Sequence, residues 1–417
     1  MAKAILVYIF ILLFSFEGLY AQTDTPFYKG ALKENREKHY RNLIDRTITK
    51  NLSLAPNEEN ESLWEDAFWA IELIQYRSPS LKPKIKIAFD SAQRRSHSFQ
   101  RSLLELVYAM YPKEYAKEVS AFLQSDSAKI FAMAAEFLSA FPEYKKKLPA
   151  IVRTKFKNNL SHPIIKSLLY NLEGKKIFPD KKSLAELFNK KYLKGYTILY
   201  SIQRKNRNYP GLAIVKDANG NFVKDKNGKI FNVPQLARSI NNLPGYLSKG
   251  NTPQGIFSID SFDISRSMFI GPTTNVQLTM PNETSVQHFF KDSTLTDTIW
   301  TEALFKKILP ASMKNYFPIF GTYYAGAAGR TEIIAHGTTV NPEYYKGQPY
   351  YPHTPTEGCL ATKEIWNGLT GKLEITNQQK LADAVAAAGG ANGYCIVIEI
   401  DDQQKSVSLT DILYLLQ

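Results

Sequence analysis

The sequence predicts a multidomain α and β protein, with an α-helical region over residues 22–194 and a mostly β region over residues 195–417. Two observations predict this division. Residues 28–194 repeat apolar side chains at the three- and four-residue spacing of amphipathic helices. From Gly195 onward, short apolar segments are separated by tight-turn sequences such as Asp217-Ala218-Asn219-Gly220, which is typical of β structure.

The first 21 residues have the pattern of a secretory signal peptide. Lys3 precedes an apolar run over residues 4–16, and cleavage is expected after Ala21. The run is shorter than the roughly 18 apolar residues that a membrane span needs, and no later segment reaches that length. We therefore expect an exported protein, periplasmic or associated with the cell wall, with no integral membrane segment after signal cleavage.

The helical region shows capping and stop signals. Ser62-Leu63-Trp64-Glu65 has the form of a capping box, and the apolar residues after it fall on one helical face. Pro112 and Pro142 end two further helical runs at a spacing compatible with a repeat. A helical repeat and an irregular bundle are both consistent with this pattern. A protein partner for this region is one expectation.

The β region is built from short predicted strands at residues 196–203, 211–216, 221–225, 230–233, 257–259, 276–280, 331–335 and 394–400. An insertion over about residues 284–316 contains a predicted helix at 298–308. Such an insertion either caps a nearby site or decorates the surface. A short amphipathic helix is predicted over residues 409–416.

Charge and cysteine content limit the classes of partner. The formal net charge of +13 suits an anionic surface, and no zinc-finger spacing or aromatic-basic RNA-binding motif occurs. We therefore expect a cell-wall polymer and no nucleic acid. No spacing of cysteines and histidines supports a metal site. Cys395 lies in a strong strand pattern and is predicted to be a small buried apolar residue, which leaves Cys359 free.

The chemistry is concentrated in two short segments, Ala335-His336-Gly337 and Thr356-Glu357-Gly358-Cys359-Leu360. A cysteine attacks a carbonyl only as the thiolate, so it needs a base to remove its proton. Backbone N–H groups beside a glycine can bind the oxyanion that forms. We predict that Cys359 is a nucleophile and that His336 is its base, with His353 as the rival base.

These segments resemble the catalytic motif of the L,D-transpeptidase (YkuD-type) family, in which a histidine and a spacer precede Ser/Thr-His-Gly-Cys. A second segment, residues 250–259 with the sequence Gly-Asn-Thr-Pro-Gln-Gly-Ile-Phe-Ser-Ile, resembles the family's Thr-Pro-x-Gly-x-Phe-x-Ile strand. The resemblance covers roughly residues 195–402. It implies that the mostly β region is an L,D-transpeptidase-like catalytic domain that requires no metal or organic cofactor.

The resemblance also implies roles for individual residues. The Gly337 carbonyl would orient the imidazole, and the N–H of Cys359 with help from Gly358 would bind the oxyanion. Two positions depart from the family pattern: Glu357 stands where a second histidine is usual, and Ala361 stands where an arginine is usual, with Lys363 two positions further on. The expected substrate-binding residues are Thr356, which also stabilises the turn, Glu357, Lys363 and Tyr324, although an aromatic residue in a β domain often belongs to the core.

The implied reaction is acyl transfer on peptidoglycan stem peptides. Cys359 would form a thioester with the third stem residue, and an amine of a neighbouring stem would resolve it into a crosslink in cell wall biogenesis. With water as the acceptor, the same site would make an L,D-carboxypeptidase. A third interpretation is a catalytically silent protein that binds the wall or acts as a scaffold.

Overall fold

The computed structural model describes residues 25–174 and 178–416. The predicted signal peptide lies outside the described residues. Among the described residues, most α-helices precede the strands, and four more lie between strands. The helices are α1 Lys33–Asn42, α2 Asn51–Ser53, α3 Glu61–Leu73, α4 Leu81–Ala92, α5 His97–Met110, α6 Ala116–Ser120, α7 Ala128–Leu138, α8 Pro142–Lys145, α9 Leu148–Lys155, α10 Pro163–Glu173, α11 Lys181–Phe188, α12 Val286–Phe290, α13 Glu302–Phe305, α14 Gly321–Ala327 and α15 Asn377–Ala387.

The strands form a closed barrel and a separate two-stranded sheet. They are β1 Thr197–Arg204, β2 Gly211–Lys216, β3 Asn232–Leu236, β4 Gly255–Ile264, β5 Thr274–Thr279, β6 Ile334–His336, β7 Leu360–Thr362, β8 Glu364–Trp366, β9 Leu373–Thr376 and β10 Gly393–Asp401. The barrel order is β1-β10-β4-β5-β6-β7-β3-β2, and β8 pairs with β9. The β1/β10 and β6/β7 pairs are parallel and the other barrel pairs are antiparallel.

The predicted fold class is therefore wrong. The second half of the chain is not a mostly β domain that follows a helical region. It is an eight-stranded closed barrel of mixed direction, with helices inserted between its strands. Two three-residue strands, β6 and β7, complete the circle between β5 and β3. The apolar alternation of such short strands does not distinguish an open sheet from a closed barrel, because both bury alternate side chains.

The barrel has two apolar faces. Alternate residues from all eight strands fill its interior, among them Leu199, Phe257, Ala335, Leu360 and Cys395, and α15 packs onto this interior cluster. Cys395 is fully buried, as the strand pattern predicted. The outer face of β1, β2, β4 and β10 is covered by α11, by the insertion and by the C-terminal residues.

Several local predictions need correction. The structure begins α3 at Glu61, after a 3-10 turn over Glu58–Asn60, so Ser62 is not its N-cap. The predicted 298–308 helix shortens to α13, and the predicted C-terminal helix is two 3-10 turns, Leu409–Asp411 and Leu413–Leu415. The region predicted as strands at 221–225 forms only isolated bridges. In such short segments the intrinsic helix or strand propensity is weak, so tertiary packing determines where each element begins and ends.

The helical region packs directly on one side of the barrel. α3 contacts α5, α5 contacts α7, and α7 contacts α10. The largest apolar cluster combines these helices with Leu243, Tyr246 and Leu247 from the loop between β3 and β4. The Tyr246 hydroxyl also donates to Glu136 Oε1 on α7, at 2.7 Å. The apolar packing therefore crosses position 195, where the sequence changes from helical to strand patterns.

This packing generates a prediction for the isolated C-terminal part. Residues 195–417 expressed alone would expose Leu243, Tyr246 and Leu247, and each apolar side chain returned to water costs roughly 1.5–3 kcal/mol. We expect this fragment to unfold at a clearly lower denaturant concentration than the full chain, or to aggregate. A fragment with the same unfolding midpoint as the full chain would contradict the shared core.

Candidate active site

The parallel pairing of β6 with β7 places the predicted nucleophile and base on one face of the barrel. Ala335 aligns with Leu360, and His336 aligns with Ala361. Ala335 and Leu360 point into the barrel interior. Side chains alternate along a strand, so His336, which follows Ala335, and Cys359, which precedes Leu360, point outward. Both residues line the same cavity of about 560 Å³.

The turn before Cys359 depends on a hydroxyl and on a glycine. Thr356 Oγ1 accepts a hydrogen bond from the Gly358 N–H at 3.0 Å and donates to the Cys359 carbonyl at 3.1 Å. Gly358 has a φ of 117°, and a Cβ at this position would collide with the guanidinium of Arg330 and with the Gly250 carbonyl. The residue before the cysteine must therefore be glycine, for both conformation and space.

The upstream segment that resembles the family strand packs against this turn. Thr252 Oγ1 donates to the Gly358 carbonyl at 2.9 Å. The carbonyls of Asn251 and Gly250 accept from Arg330 at 2.8 Å and 2.6 Å. Residues 250–252 therefore contact the cysteine turn directly, although more than 100 positions separate them in the sequence.

The surroundings of the Cys359 thiol favour its protonated form. Burial raises the pKa of the Cys359 thiol to about 11, against a smaller opposing effect of the Ile334 backbone hydrogen bond and the Arg330 charge. Its Sγ lies 3.6 Å from the Glu332 carbonyl. Glu332 has a φ of 62°, an unfavourable conformation for a residue with a side chain, of the kind that clusters at functional sites.

His336 is held as a neutral imidazole. The side chain is buried, and burial lowers the pKa of His336 to about 4, partly offset by the hydrogen bond between its Nδ1 and the Gly337 carbonyl. That bond fixes the proton on Nδ1, because the carbonyl can only accept. Nε2 then keeps a lone pair that can take a proton. Gly337 therefore stands where the orienting carbonyl was predicted.

His336 and Cys359 do not hydrogen-bond each other in the described structure, since the thiol is directed at Glu332 instead. Proton transfer to His336 therefore requires the thiol to leave the Glu332 carbonyl. Catalytic hydrogen bonds are often long or absent before substrate binds. His353 is also buried, and its Nδ1 lies 3.2 Å from the Tyr350 carbonyl. It is not among the residues that line the cavity with Cys359.

The four predicted substrate-binding residues separate into two groups. Thr356 and Glu357 line the cavity, and Glu357 forms an ion pair with Lys249 at 2.8 Å. Lys363 lies between β7 and β8 and does not line the cavity. Tyr324 belongs to α14 and lines a different cavity, where the Lys166 ammonium lies 5.0 Å from the centre of its ring. The insertion over about 284–316 covers the outer face of the barrel and does not line the Cys359 cavity.

Two charged residues next to the site were missed by the sequence analysis. Arg330 is buried, and burial lowers the pKa of its guanidinium to about 10. The guanidinium donates to four backbone carbonyls, those of Gly245, Gly250, Asn251 and Gly358. Glu364 is buried beside Gly337, and burial raises the pKa of its carboxyl group to about 7. The carboxylate accepts hydrogen bonds from the Thr338 N–H and the Thr376 hydroxyl, both at 2.9 Å. Neither lies in a recognisable motif.

The helical region supplies part of the cavity wall. Trp69 and Leu73 on α3 and Arg101 on α5 line it together with His336 and Cys359. The indole of Trp69 packs edge-on against Phe269, with the ring centres 5.5 Å apart. A site expected to belong to the β region alone is therefore built from both parts of the chain.

Comparison with known proteins finds no family model, no curated protein and no solved structure that matches this chain. In the part of the chain that the structure describes, no helix is long and apolar enough to cross a membrane. The same described residues contain no group of three or more histidine, cysteine, aspartate or glutamate side chains placed to hold a metal ion.

The geometry at Gly358 generates a prediction. Gly358→Ala adds backbone strain and a clash with Arg330, whereas Gly347→Ala adds only strain, because Gly347 has a similar positive φ of 88° with open space around it. We expect Gly358→Ala to lower the free energy of unfolding by about 1–3 kcal/mol more than Gly347→Ala. Chemical denaturation measures both variants. Equal losses would show that the contact between Gly358 and Arg330 is unimportant.

Proposed function

We propose that this protein is an exported cysteine acyltransferase that acts on peptidoglycan stem peptides by L,D-transpeptidation. The observation that carries the proposal is the shared cavity of Cys359 and His336, with the imidazole tautomer fixed by the Gly337 carbonyl. The two motifs that resemble the L,D-transpeptidase family add support, because residues 250–252 and the cysteine turn are in contact. The barrel topology gives no support, since it differs from the expected domain.

The reaction would proceed in two steps. His336 Nε2 takes the thiol proton as Cys359 Sγ attacks the carbonyl carbon of the third stem residue, and the oxyanion is stabilised by backbone N–H groups of the turn. The C–N bond to the terminal D-amino acid then breaks, and the leaving amine takes the proton from His336. An amine of a second stem attacks the thioester, releases the thiol and forms the new amide.

The roles of the turn residues follow from their hydrogen bonds. The Gly358 N–H is already bonded to Thr356 Oγ1, so the Cys359 N–H is the better candidate for the oxyanion donor. Gly358 contributes by allowing the backbone to pass Arg330. Export to the periplasm or cell wall and contact with the wall polymer belong to the same proposal.

A catalytically silent wall-binding or scaffold protein is the second candidate. One observation favours it: the thiol is directed at the Glu332 carbonyl, not at His336, and burial raises the pKa of the Cys359 thiol to about 11. The L,D-carboxypeptidase alternative differs from the proposal only in the acceptor. Detection of a thioester separates both enzymes from the silent protein, and product analysis separates crosslinking from trimming.

The nucleophile is tested by mass spectrometry of the intact protein after incubation with a stem tetrapeptide. We expect an adduct on Cys359, with loss of the terminal D-amino acid, in the wild type and in the control Cys395→Ala. We expect none in Cys359→Ala, and none in Cys359→Ser because a hydroxyl is a much poorer nucleophile at neutral pH. An adduct that persists in Cys359→Ala would remove the basis of the proposal.

The base is tested by the rate of adduct formation in two matched histidine variants. His336→Gln should slow the rate by about 10²–10⁴-fold, the usual contribution of a general base. His353→Gln should change it less than about threefold, because His353 does not line the cavity. The His336 pKa of about 4 also predicts that the rate falls as pH drops toward 4, where the imidazole gains a proton. The opposite ranking of the two variants would assign the base to His353.

A further inference from the structure

A second, smaller cavity of about 380 Å³ adjoins the Cys359 cavity and shares Trp69, Lys249 and Glu357 with it. We call it the acidic pocket. Its charged lining residues are five carboxylates against two cations, and three of the carboxylates come from α3 and one from α5. They are Glu65, Asp66, Glu72, Glu105 and Glu357, with Arg101 and Lys249.

Two of these carboxylates are buried without a hydrogen-bonding partner. Glu72 is 6% exposed and Glu105 is 4% exposed. Within the described chain, the Glu72 carboxylate accepts no hydrogen bond and forms no ion pair. Glu105 Oε1 lies 3.3 Å from Arg101 Nε but without hydrogen-bond geometry, and both atoms are unsatisfied. Burying a carboxylate that accepts no hydrogen bond costs free energy, unless a bound ligand supplies the missing donors.

The ammonium group that lines the pocket is already bonded to another carboxylate. Lys249 Nζ bonds to Glu357 Oε1 at 2.8 Å, although its charge still acts on Glu72 and Glu105. A ligand with a primary ammonium would supply three donors and a positive charge. The indole of Trp69 on the same wall suits a cationic or aliphatic chain.

We propose that the acidic pocket binds the side-chain ammonium of a peptide substrate, and that Glu72 and Glu105 are its specificity-determining residues. This inference rests on the proposed function for the identity of the peptide, a peptidoglycan stem with a diamino acid. It assigns a role to the helical region: α3 and α5 select a stem whose amine is free, next to the cysteine that acylates it.

Burial raises the pKa of Glu105 to about 7 and raises the pKa of Glu72 well above its usual value; the Glu105 charge adds to the rise at Glu72, and Lys249 opposes the rise at both. An ammonium ligand binds the ionised carboxylates, so its affinity should rise as pH increases from 6 to 8. Glu65 and Asp66 on α3, Arg101 on α5 and Glu357 on the cysteine turn also face the pocket. Glu72 and Glu105 are buried, and burial raises the pKa of both carboxyl groups, so we expect them to carry this change.

The test uses calorimetry on the full chain carrying Cys359→Ala, which removes turnover. The probes are two stem tetrapeptides that are identical except that the third residue is lysine or Nε-acetyl-lysine. We expect the lysine peptide to bind at least about tenfold more tightly at pH 8, with two charge-assisted contacts of ordinary strength. Adding Glu72→Gln and Glu105→Gln should abolish this preference. A preference unchanged by the double substitution would overturn the proposal.

A matched control guards against a general effect of neutralising a buried carboxylate. Glu136→Gln alters a buried glutamate on α7 that lines a different cavity, and it should leave the preference for the lysine peptide intact. Glu72→Gln with Glu105→Gln should also raise the melting temperature at pH 8, since it removes two buried carboxyl groups whose ionised form burial disfavours. A folded double variant is thereby distinguished from an unfolded one.

The outcomes also separate this inference from the proposed function. If the Cys359 thioester forms but both peptides bind equally, the acidic pocket does not select ammonium and the acyltransferase proposal stands. If no thioester forms but the lysine peptide is preferred through Glu72 and Glu105, the pocket is confirmed and the acyltransferase proposal fails.

Discussion

The parallel pairing of β6 and β7 is the constraint on which the candidate site depends. Each strand has only three residues, and their register sends Ala335 and Leu360 into the barrel. The same register leaves His336 and Cys359 on the outer side. A shift of one residue would turn the cysteine into the core and a leucine into the cavity, so the barrel core and the site enforce the same register.

The cysteine turn is fixed to this pair by buried polar contacts. Arg330 spans the gap between the turn and the loop after β3, and its guanidinium donates to four backbone carbonyls without a carboxylate partner among the described residues. A buried cation of this kind favours a nearby negative charge, and it opposes the effect of burial on the Cys359 thiol. Arg330 therefore stabilises the turn and supplies positive charge where the thiolate would develop.

The helical region changes the chemistry available to the site. It brings four carboxylates, Trp69 and Arg101 to the two adjoining cavities, whereas the barrel side supplies Cys359 and His336. Neither part contains the whole lining. One continuous apolar cluster, which includes Leu243 and Tyr246, joins these helices to the loop between β3 and β4 of the barrel.

The sequence was sufficient to select residues that the fold brings into one cavity, but not to predict what surrounds them. His336, Gly337, Thr356, Gly358 and Cys359 stood in recognisable order, and their turn and strand signals are local. Arg330 and Glu364 escaped notice because a lone charged residue beside an apolar run looks like an ordinary surface residue. Lys363 and Tyr324 were selected by proximity in sequence or residue type, and the path of the chain carries them away from the cavity.

The closure of the barrel could not be predicted for a related reason. It depends on pairings between strands far apart in sequence, such as β1 with β10 and β3 with β7. The pattern of each strand shows only that one face is buried. The contribution of α3 and α5 to the site is equally non-local, since their apolar faces indicate a core and give no information on which surface lies opposite their acidic residues.

The central claim is that Cys359 and His336 act as one catalytic pair on the outer face of β6 and β7. The most direct measurement is a crystal structure of the protein with a stem peptide bound covalently as a thioester. The account predicts the bond at Cys359 Sγ, with His336 Nε2 within hydrogen-bonding distance of it, about 3 Å, or joined to it through one water. A thioester at Cys359 with His336 Nε2 beyond the reach of one water, or with His353 in contact, would contradict this claim.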